Sequence, residues 1–242
     1  MRNWLSRNLL LLTLVSLAQD AASELIYPLL PLLITGVVGA APLALGIIEG
    51  IAEFAAGFTK LYSGKFSDKY GRKPFVISGY SLTGLGKVFT VLSLNWQGIF
   101  AGRVIDRIGK GMRGAPRDAL IHDGVEDEDL GKAFGFHRAG DNLGAVIGPL
   151  SALALLAIFN DDVRTVAKWA LIPALLSALL TLFVKEIKSH ESKVTFQKAP
   201  LSSNLKRTIV ILVIIQLTNI PDALLLLRLH DIGFSTKGVV IG

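Results

Sequence analysis

The chain contains no cysteine, which excludes a disulfide framework, a thiolate nucleophile and a cysteine-ligated zinc. Its four histidines are isolated from one another along 242 residues, so neither a metal centre nor a cofactor is expected. Charge is scarce too, at 18% of residues against 51% hydrophobic. The polar interleaving that a water-soluble domain of this length needs is missing. Apolar runs of about 20 residues recur instead, the length that crosses a ~30 Å hydrocarbon core. His-x-x-x-His pairs, a Gly-x-Ser-x-Gly elbow and a glycine-rich phosphate loop ending in Lys-Ser or Lys-Thr are all absent from these residues. An enzyme or an ATP-driven pump is therefore not expected.

What is present reads as an all-α integral membrane protein, with the lipid bilayer as its solvent. Spans are predicted near 9–33, 42–62, 74–94, 97–115, 133–158, 165–184 and 208–228. Arg2 and Arg7 before "NLLLLTLVSLA" resemble a secretory signal, with Ser16 and Ala18 as the cleavage site. The apolar run continues through "ELIYPLLPLLITGVVGA", however, so an uncleaved first helix accounts for more of the sequence. The fourth span holds Arg103, Asp106, Arg107 and Lys110, and its competing reading is an interfacial helix.

The formal charge of +6 does not indicate nucleic acid, because the bases are gathered into short inter-helix segments. Two Lys/Arg lie in the N-terminal tail, four in Lys65–Lys73, four from Arg113 to Arg138 and six from Lys185 to Arg207, against only Arg164 and Lys168 in the alternate loops. That asymmetry predicts a multi-pass protein of the cytoplasmic (inner) membrane with its N-terminus inside. The implied organisation is a six-helix bundle over 1–184, a cytoplasmic connector over 185–207 and a further helix within 208–242. "LVIIQLTNIPDALLLLRLHDIGFS" echoes "LVSLAQDAASELIYPLLPLLITG", as in transporters built from parallel repeats. The chain stops at "GVVIG", where an eighth span is due, so the C-terminal half of a longer chain is expected as its partner.

The link between the second and third spans reads "GKFSDKYGRKP". Gly64 and Gly71 suit tight turns there, and Pro74 suits the first turn of the next helix. Asp68, an acid among four bases, is expected to cap a helix or pair with an arginine. The stretch resembles the major facilitator superfamily (MFS) pattern Gly-x-Leu-(Ala/Ser)-Asp-x-x-Gly-Arg-(Arg/Lys), through Gly64, Ser67, Asp68, Gly71, Arg72 and Lys73, with Phe66 replacing leucine. "RVIDRIGKGMRGA" is similar to the Arg-x-x-Gln-Gly pattern of proton-coupled members, with Arg107 and Gly111 in place and Lys110 where glutamine is usual. "GDNLGAVIGPLSA" resembles the antiporter pattern through Gly144, Gly148 and Pro149; Ala152 and Leu153 replace its closing glycine pair. The resemblance implies an MFS-type N-terminal bundle plus the start of the second bundle, with Asp68 and Arg72 in a cytoplasmic latch between the halves.

Ionisable residues inside the spans carry the functional expectation, since each costs on the order of 2.5–3.5 kcal/mol at a helix centre and needs a partner or a wet cavity. Asp20 and Glu24 lie one turn apart on helix one, Glu49 and Glu53 repeat that spacing on helix two, and Lys87 sits in helix three. Arg103 and Arg107 share a face of helix four. The competing reading is structural ion pairing between acids on helices one and two and bases on helices three and four. Under the functional reading Asp20, Glu24 and Arg107, then Glu49 and Glu53, exchange protons as a cavity changes side. Gly46, Gly50 and Gly57 mark helix two as close-packed, and Pro28, Pro31 and Pro149 as places where moving helices can bend. The acidic run Glu126–Asp129 lacks the ligand spacing of a calcium loop. A charged interior divided by sign suits a carrier better than a channel. The expectation is a secondary transporter of a small organic solute, proton-coupled and multidrug-like in the efflux direction, with uptake or uniport on the same fold as the alternative.

Overall fold

The computed structural model describes residues 4–187, 202–217 and 220–241. Helices make up the fold, with no strand among the described residues. Helix α1, Arg7–Ile26, starts where the Ser6 hydroxyl accepts the Leu9 N–H. Pro28 and Pro31 cannot donate to the carbonyls of Glu24 and Tyr27. The continuation accordingly changes to a 3₁₀ turn at Tyr27–Leu29 and a π-helical stretch at Leu32–Val37. The helix break thus falls just beyond Glu24.

Helix α2, Pro42–Tyr70, and helix α3, Arg72–Leu92, are separated by Gly71 alone. The predicted loop at 64–74 is therefore a one-residue junction. Gly64 is inside α2, and only Gly71 makes the turn, at φ +95°, a region other residues rarely enter. Pro74 falls in the first turn of α3, where its missing N–H costs nothing.

Helix α4, Trp96–Asp123, is capped by Asn95, whose side-chain oxygen accepts the Gly98 N–H. It runs eight residues past the predicted end because Pro116 is accommodated inside it. Helix α5, Leu130–Ile158, is likewise continuous through Pro149. Asn160 and Asp161 then take positive φ, and Asp162 caps α6, Val163–Trp169. Bonds from the Thr165 hydroxyl and backbone N–H hold the Asp162 carboxyl below the usual aspartate range. Pro173 cannot donate to the Trp169 carbonyl, and the predicted sixth span accordingly divides into α6 and α7, Leu171–Thr181. The predicted span at 208–228 is divided as well, into α8, Ser203–Leu217, and α9, Asp222–Asp231, with Pro221 extended before the second. Helix α10 covers Thr236–Ile241. Most of the predicted connector lies outside the described residues, and α8 begins within it.

Among the described residues five stretches are long and apolar enough to cross a membrane: Arg7–Leu29, Pro42–Tyr70, Arg72–Leu92, Asp127–Ile158 and Val163–Thr181. Helix α4 is too charged to join them, yet its 28 residues reach about 42 Å and it packs along both α2 and α3. Small residues allow this approach. A Cβ on Gly109 would lie 2.5 Å from the Gly79 carbonyl oxygen, and one on Gly86 would lie 2.6 Å from that of Gly102. Helix α5 meets α1 in the same way, since a Cβ on Gly144 would lie 2.5 Å from the Leu17 oxygen and one on Gly148 2.8 Å from the Ala21 oxygen.

Helix two differs from expectation. Gly50 and Gly57 have nothing within 4 Å, and Gly46 only a Leu224 methyl at 4.0 Å. It is Gly111 of α4 that lets α2 approach, lying against the Ala56 carbonyl. Two apolar clusters close the bundle. One joins Leu9, Leu12, Tyr80 and Leu120 near the start of α1, and the other joins Leu29, Ile34, Ile48 and Ile99 near its far end. The charged residues occupy the layers between them.

Candidate functional site: a charged spine along α4

Helix α4 presents Arg117, Arg113, Lys110, Arg107, Asp106 and Arg103 in successive turns, and helices around it supply partners. At the deep end Arg103 binds Glu49 of α2 in a two-pronged pair, Nε and Nη2 each donating at 2.9 Å. Lys87 of α3 donates to Asp106 at 2.8 Å, and Arg103 Nη1 lies 3.5 Å from the same carboxylate. Glu49, Lys87, Arg103 and Asp106 are all nearly water-free. Two acids and two bases sum to zero, which is what makes burying four ions tolerable. A small cavity bounded by Ser23, Ile26, Lys87, Thr90, Arg103 and Asp106 lies beside them.

Arg107 reaches outward from this group, 3.0 Å from Glu53 and 3.8 Å from Glu49. The Glu53 side chain is 60% uncovered by protein, whereas that of Glu49 is buried. On α1, Asp20 is half-buried and 3.8 Å from Arg113, whose guanidinium also stacks 4.2 Å above the Tyr80 ring. Glu24 forms no ion pair among the described residues, nor does Lys110, and neither is fully enclosed by the protein. The expected sorting of acids on helices one and two against bases on three and four therefore needs amendment. It describes Glu49 and Glu53 with Arg103 and Arg107, and Asp20 with Arg113, but Lys87 pairs with an acid of α4 and Glu24 with nothing within ion-pair distance among the described residues.

The hairpin residues gather elsewhere. Arg72 pairs with Asp123 and donates to the Ala119 carbonyl, both at the end of α4. Asp68 lies 3.5 Å from Arg72 with its side chain 65% exposed. The carboxylate of Glu186 accepts the backbone N–H groups of Arg72 and Lys73 at 3.0 and 2.7 Å, completing the start of α3. Lys73 also donates to the Leu182 carbonyl at 3.2 Å. Asn8 and Lys185 exchange side-chain and backbone hydrogen bonds at 2.8 and 2.9 Å. The chain leaving α7 is thereby fastened to α1 through Asn8 and to α3 through Glu186, while Asp123 ties α3 to the end of α4; sequence reasoning missed all three residues. Glu186 stood in a run of charges without periodicity, and nothing in that pattern signals a cap.

Gly144 and Gly148 serve the α1–α5 contact, and a Cβ on Gly148 would lie 2.8 Å from Glu24 Cβ. Their side of α5 therefore fixes where Asp20 and Glu24 sit. Arg113 and Arg117 were read as loop charges, yet both are buried. Removing them from the count leaves its asymmetry intact. Among the described residues no group of three or more His, Asp or Glu could hold a metal.

The family model described as the Major Facilitator Superfamily matches residues 12–241. The chain belongs to this superfamily. It is 35% identical over 231 residues to an uncharacterised MFS-type transporter of Methanocaldococcus jannaschii, covering 94% of this chain and 58% of that protein. It is 27% identical over 131 residues to multidrug resistance protein MdtH of Photorhabdus laumondii, covering 54% of this chain and 33% of MdtH. Among solved structures it superposes on a POT family transporter in complex with 5-aminolevulinic acid, with TM-score 0.67 at 17% identity, over 96% of this chain and 49% of that one. A bacterial homologue of the lysosomal transporter Spinster, inward-facing and unoccupied, gives TM-score 0.65 at 17% identity over 86% of this chain and 47% of that one. These superpositions show the fold. The chain thus spans about half the length of the proteins it resembles, and as an MFS member with apolar helices it is a multi-pass membrane protein.

Proposed function

We propose that the protein is a secondary active transporter that exports a small organic solute by alternating access, coupled to protons, with Asp20 and Glu24 as the coupling acids. The observation that carries this is Glu24, a carboxylate inside a membrane-spanning helix with no ion pair among the described residues. It lies one turn from Asp20, whose nearest guanidinium stands at 3.8 Å. An inert bundle gains nothing from an unpaired acid at that depth, whereas a proton carrier needs one. Arg107, bridging toward Glu49 and Glu53, supplies the nearby positive charge that a carboxylate exchanges for a proton. The likeness to MdtH supports the efflux direction; uptake by symport or uniport is the second reading.

A second helical half completes the solute cavity in this proposal, and the N-terminus lies on the cytoplasmic side of the inner membrane. Asp68 and Arg72 form the part of the latch carried by this half. Support comes from the way Arg72 ties the α2–α3 junction to the end of α4, so that a contact made there moves the charged spine as a body. The test uses the full-length natural protein in liposomes with an imposed pH gradient. Asp20→Asn or Glu24→Gln is expected to abolish proton-driven transport while the protein still folds. Unchanged proton coupling in both variants would falsify the assignment.

A further inference from the structure

Helices α1 and α4 face each other antiparallel, and their side chains meet in register. Arg117 donates to the Ser16 hydroxyl at 2.7 Å, Arg113 stands 3.8 Å from Asp20, and Arg103 lies 6.0 Å from the Tyr27 ring. One turn beyond Asp20 on α1 is Glu24, and one turn before Arg113 on α4 is Lys110, so the same register sets these two opposite each other. No charge acts on Glu24 more strongly than that of Lys110. Yet no ion pair joins them, Glu24 is only half-buried, and Lys110 is exposed.

The neighbouring charges already have partners. Lys87 binds Asp106, Arg103 binds Glu49, Arg107 stands 3.0 Å from Glu53, and Arg113 takes Asp20. Lys60 of α2 and Asp222 of α9 form no ion pair among the described residues either, but both are exposed and neither is among the charges that act most strongly on Glu24 or Lys110. One acid and one base are therefore left open, facing each other across a gap inside the bundle.

We infer that, given the transport function proposed above, Glu24 and Lys110 are the two ends of a binding site for a zwitterionic, amino-acid-like solute, its ammonium held by Glu24 and its carboxylate by Lys110. An ion of one sign would satisfy one end and be repelled by the other. An uncharged solute would leave both ends without a counter-charge, which is costly at membrane depth. A zwitterion satisfies both and leaves the net charge of the bundle unchanged. The acidic end is fixed in place, because Glu24 sits where α1 meets α5 and a Cβ on Gly148 would lie 2.8 Å from its own. Once protonated, the Glu24 carboxyl is neutral and no longer holds an ammonium, so proton and solute compete for one group, as an exchanger needs.

The experiment is calorimetric titration of the full-length natural protein in lipid nanodiscs with each of the common L-amino acids, then with the carboxyl amide and the N-acetyl form of those that bind. At least one amino acid is expected to bind, and both of its derivatives are expected to bind about tenfold more weakly or worse. Lys110→Gln should weaken the amino acid and its N-acetyl form but not its amide, and Glu24→Gln should weaken the amino acid and its amide but not its N-acetyl form. Should a variant fail to fold, the derivatives on the wild type still decide. Binding of no amino acid, an amide or N-acetyl form that binds as tightly as its parent, or a variant that weakens both derivatives alike overturns the site. Binding is read without a pH gradient, so its failure leaves proton coupling at Asp20 and Glu24 standing, and failure of that coupling leaves the binding result standing.

Discussion

Helices α2 and α4 are of nearly equal length and lie side by side, but they invert the rule learned from soluble proteins. Helix α2 is apolar enough to cross a membrane and is largely uncovered, with Phe54, Phe58, Leu61 and Tyr70 all exposed. Helix α4 fails the same apolar test, yet Arg103, Asp106, Arg113 and Arg117 on it are buried. In hydrocarbon, an apolar face needs no protein against it, whereas a charge must be enclosed with its partner. The residues that identify α4 as interior are therefore its arginines and glycines, and the hydrophobic pattern that finds its neighbours passes over it.

The largest test of this contrast exchanges glycines. Gly109→Val would drive a side chain into the α3 backbone, and loss of folded protein in detergent is expected, against an unchanged or slightly raised melting temperature for Gly50→Ala, which meets nothing within 4 Å. Equal behaviour of the two would break the comparison. Next in size is Arg103→Ala, which leaves Glu49 and Asp106 buried without their shared guanidinium. A loss of about 3–5 kcal/mol is expected by chemical denaturation. Arg103→Ala combined with Glu49→Ala should recover part of it, as a double-mutant cycle reads.

The smallest expected effect lies outside the spans. Asp162→Ala should cost about 1 kcal/mol through loss of the α6 cap. The folded-state pKa of Asp162 is depressed, so its contribution is present above the unfolded pKa and fades as pH falls through the folded one. Melting curves of wild type and Asp162→Ala should therefore converge on acidification, and a constant gap would show that the carboxylate's charge plays no part.

Much of the fold was legible because apolar length and basic loops are strong signals: the helices at 42, 74 and 133 begin within a few residues of where they were expected. The boundaries that failed share a cause. Pro116 sits within a long helix, and Pro173 and Pro221 interrupt shorter ones, and sequence alone does not say which prolines the surroundings tolerate. For that reason Arg113 and Arg117 looked like loop charges. Side-chain partners were less legible than elements. The (i, i+4) spacing places Asp20 with Glu24 and Glu49 with Glu53 on α1 and α2, but whether Lys87 faces Asp106 or Glu49 depends on helix rotation, which glycine contacts on α3 and α4 decide.

The central claim is that charge in this bundle falls into two kinds, sealed pairs that hold helices together and open groups that, under the proposed transport function, face water and solute. Single cysteines placed in a cysteine-free background of the full-length protein separate them directly. With a membrane-impermeant maleimide applied to membranes opened to both sides, Glu24→Cys and Lys110→Cys are expected to label, whereas Thr83→Cys beside Asp106 is expected to stay unlabelled. Protection at positions 24 and 110, with labelling at 83, would contradict the account.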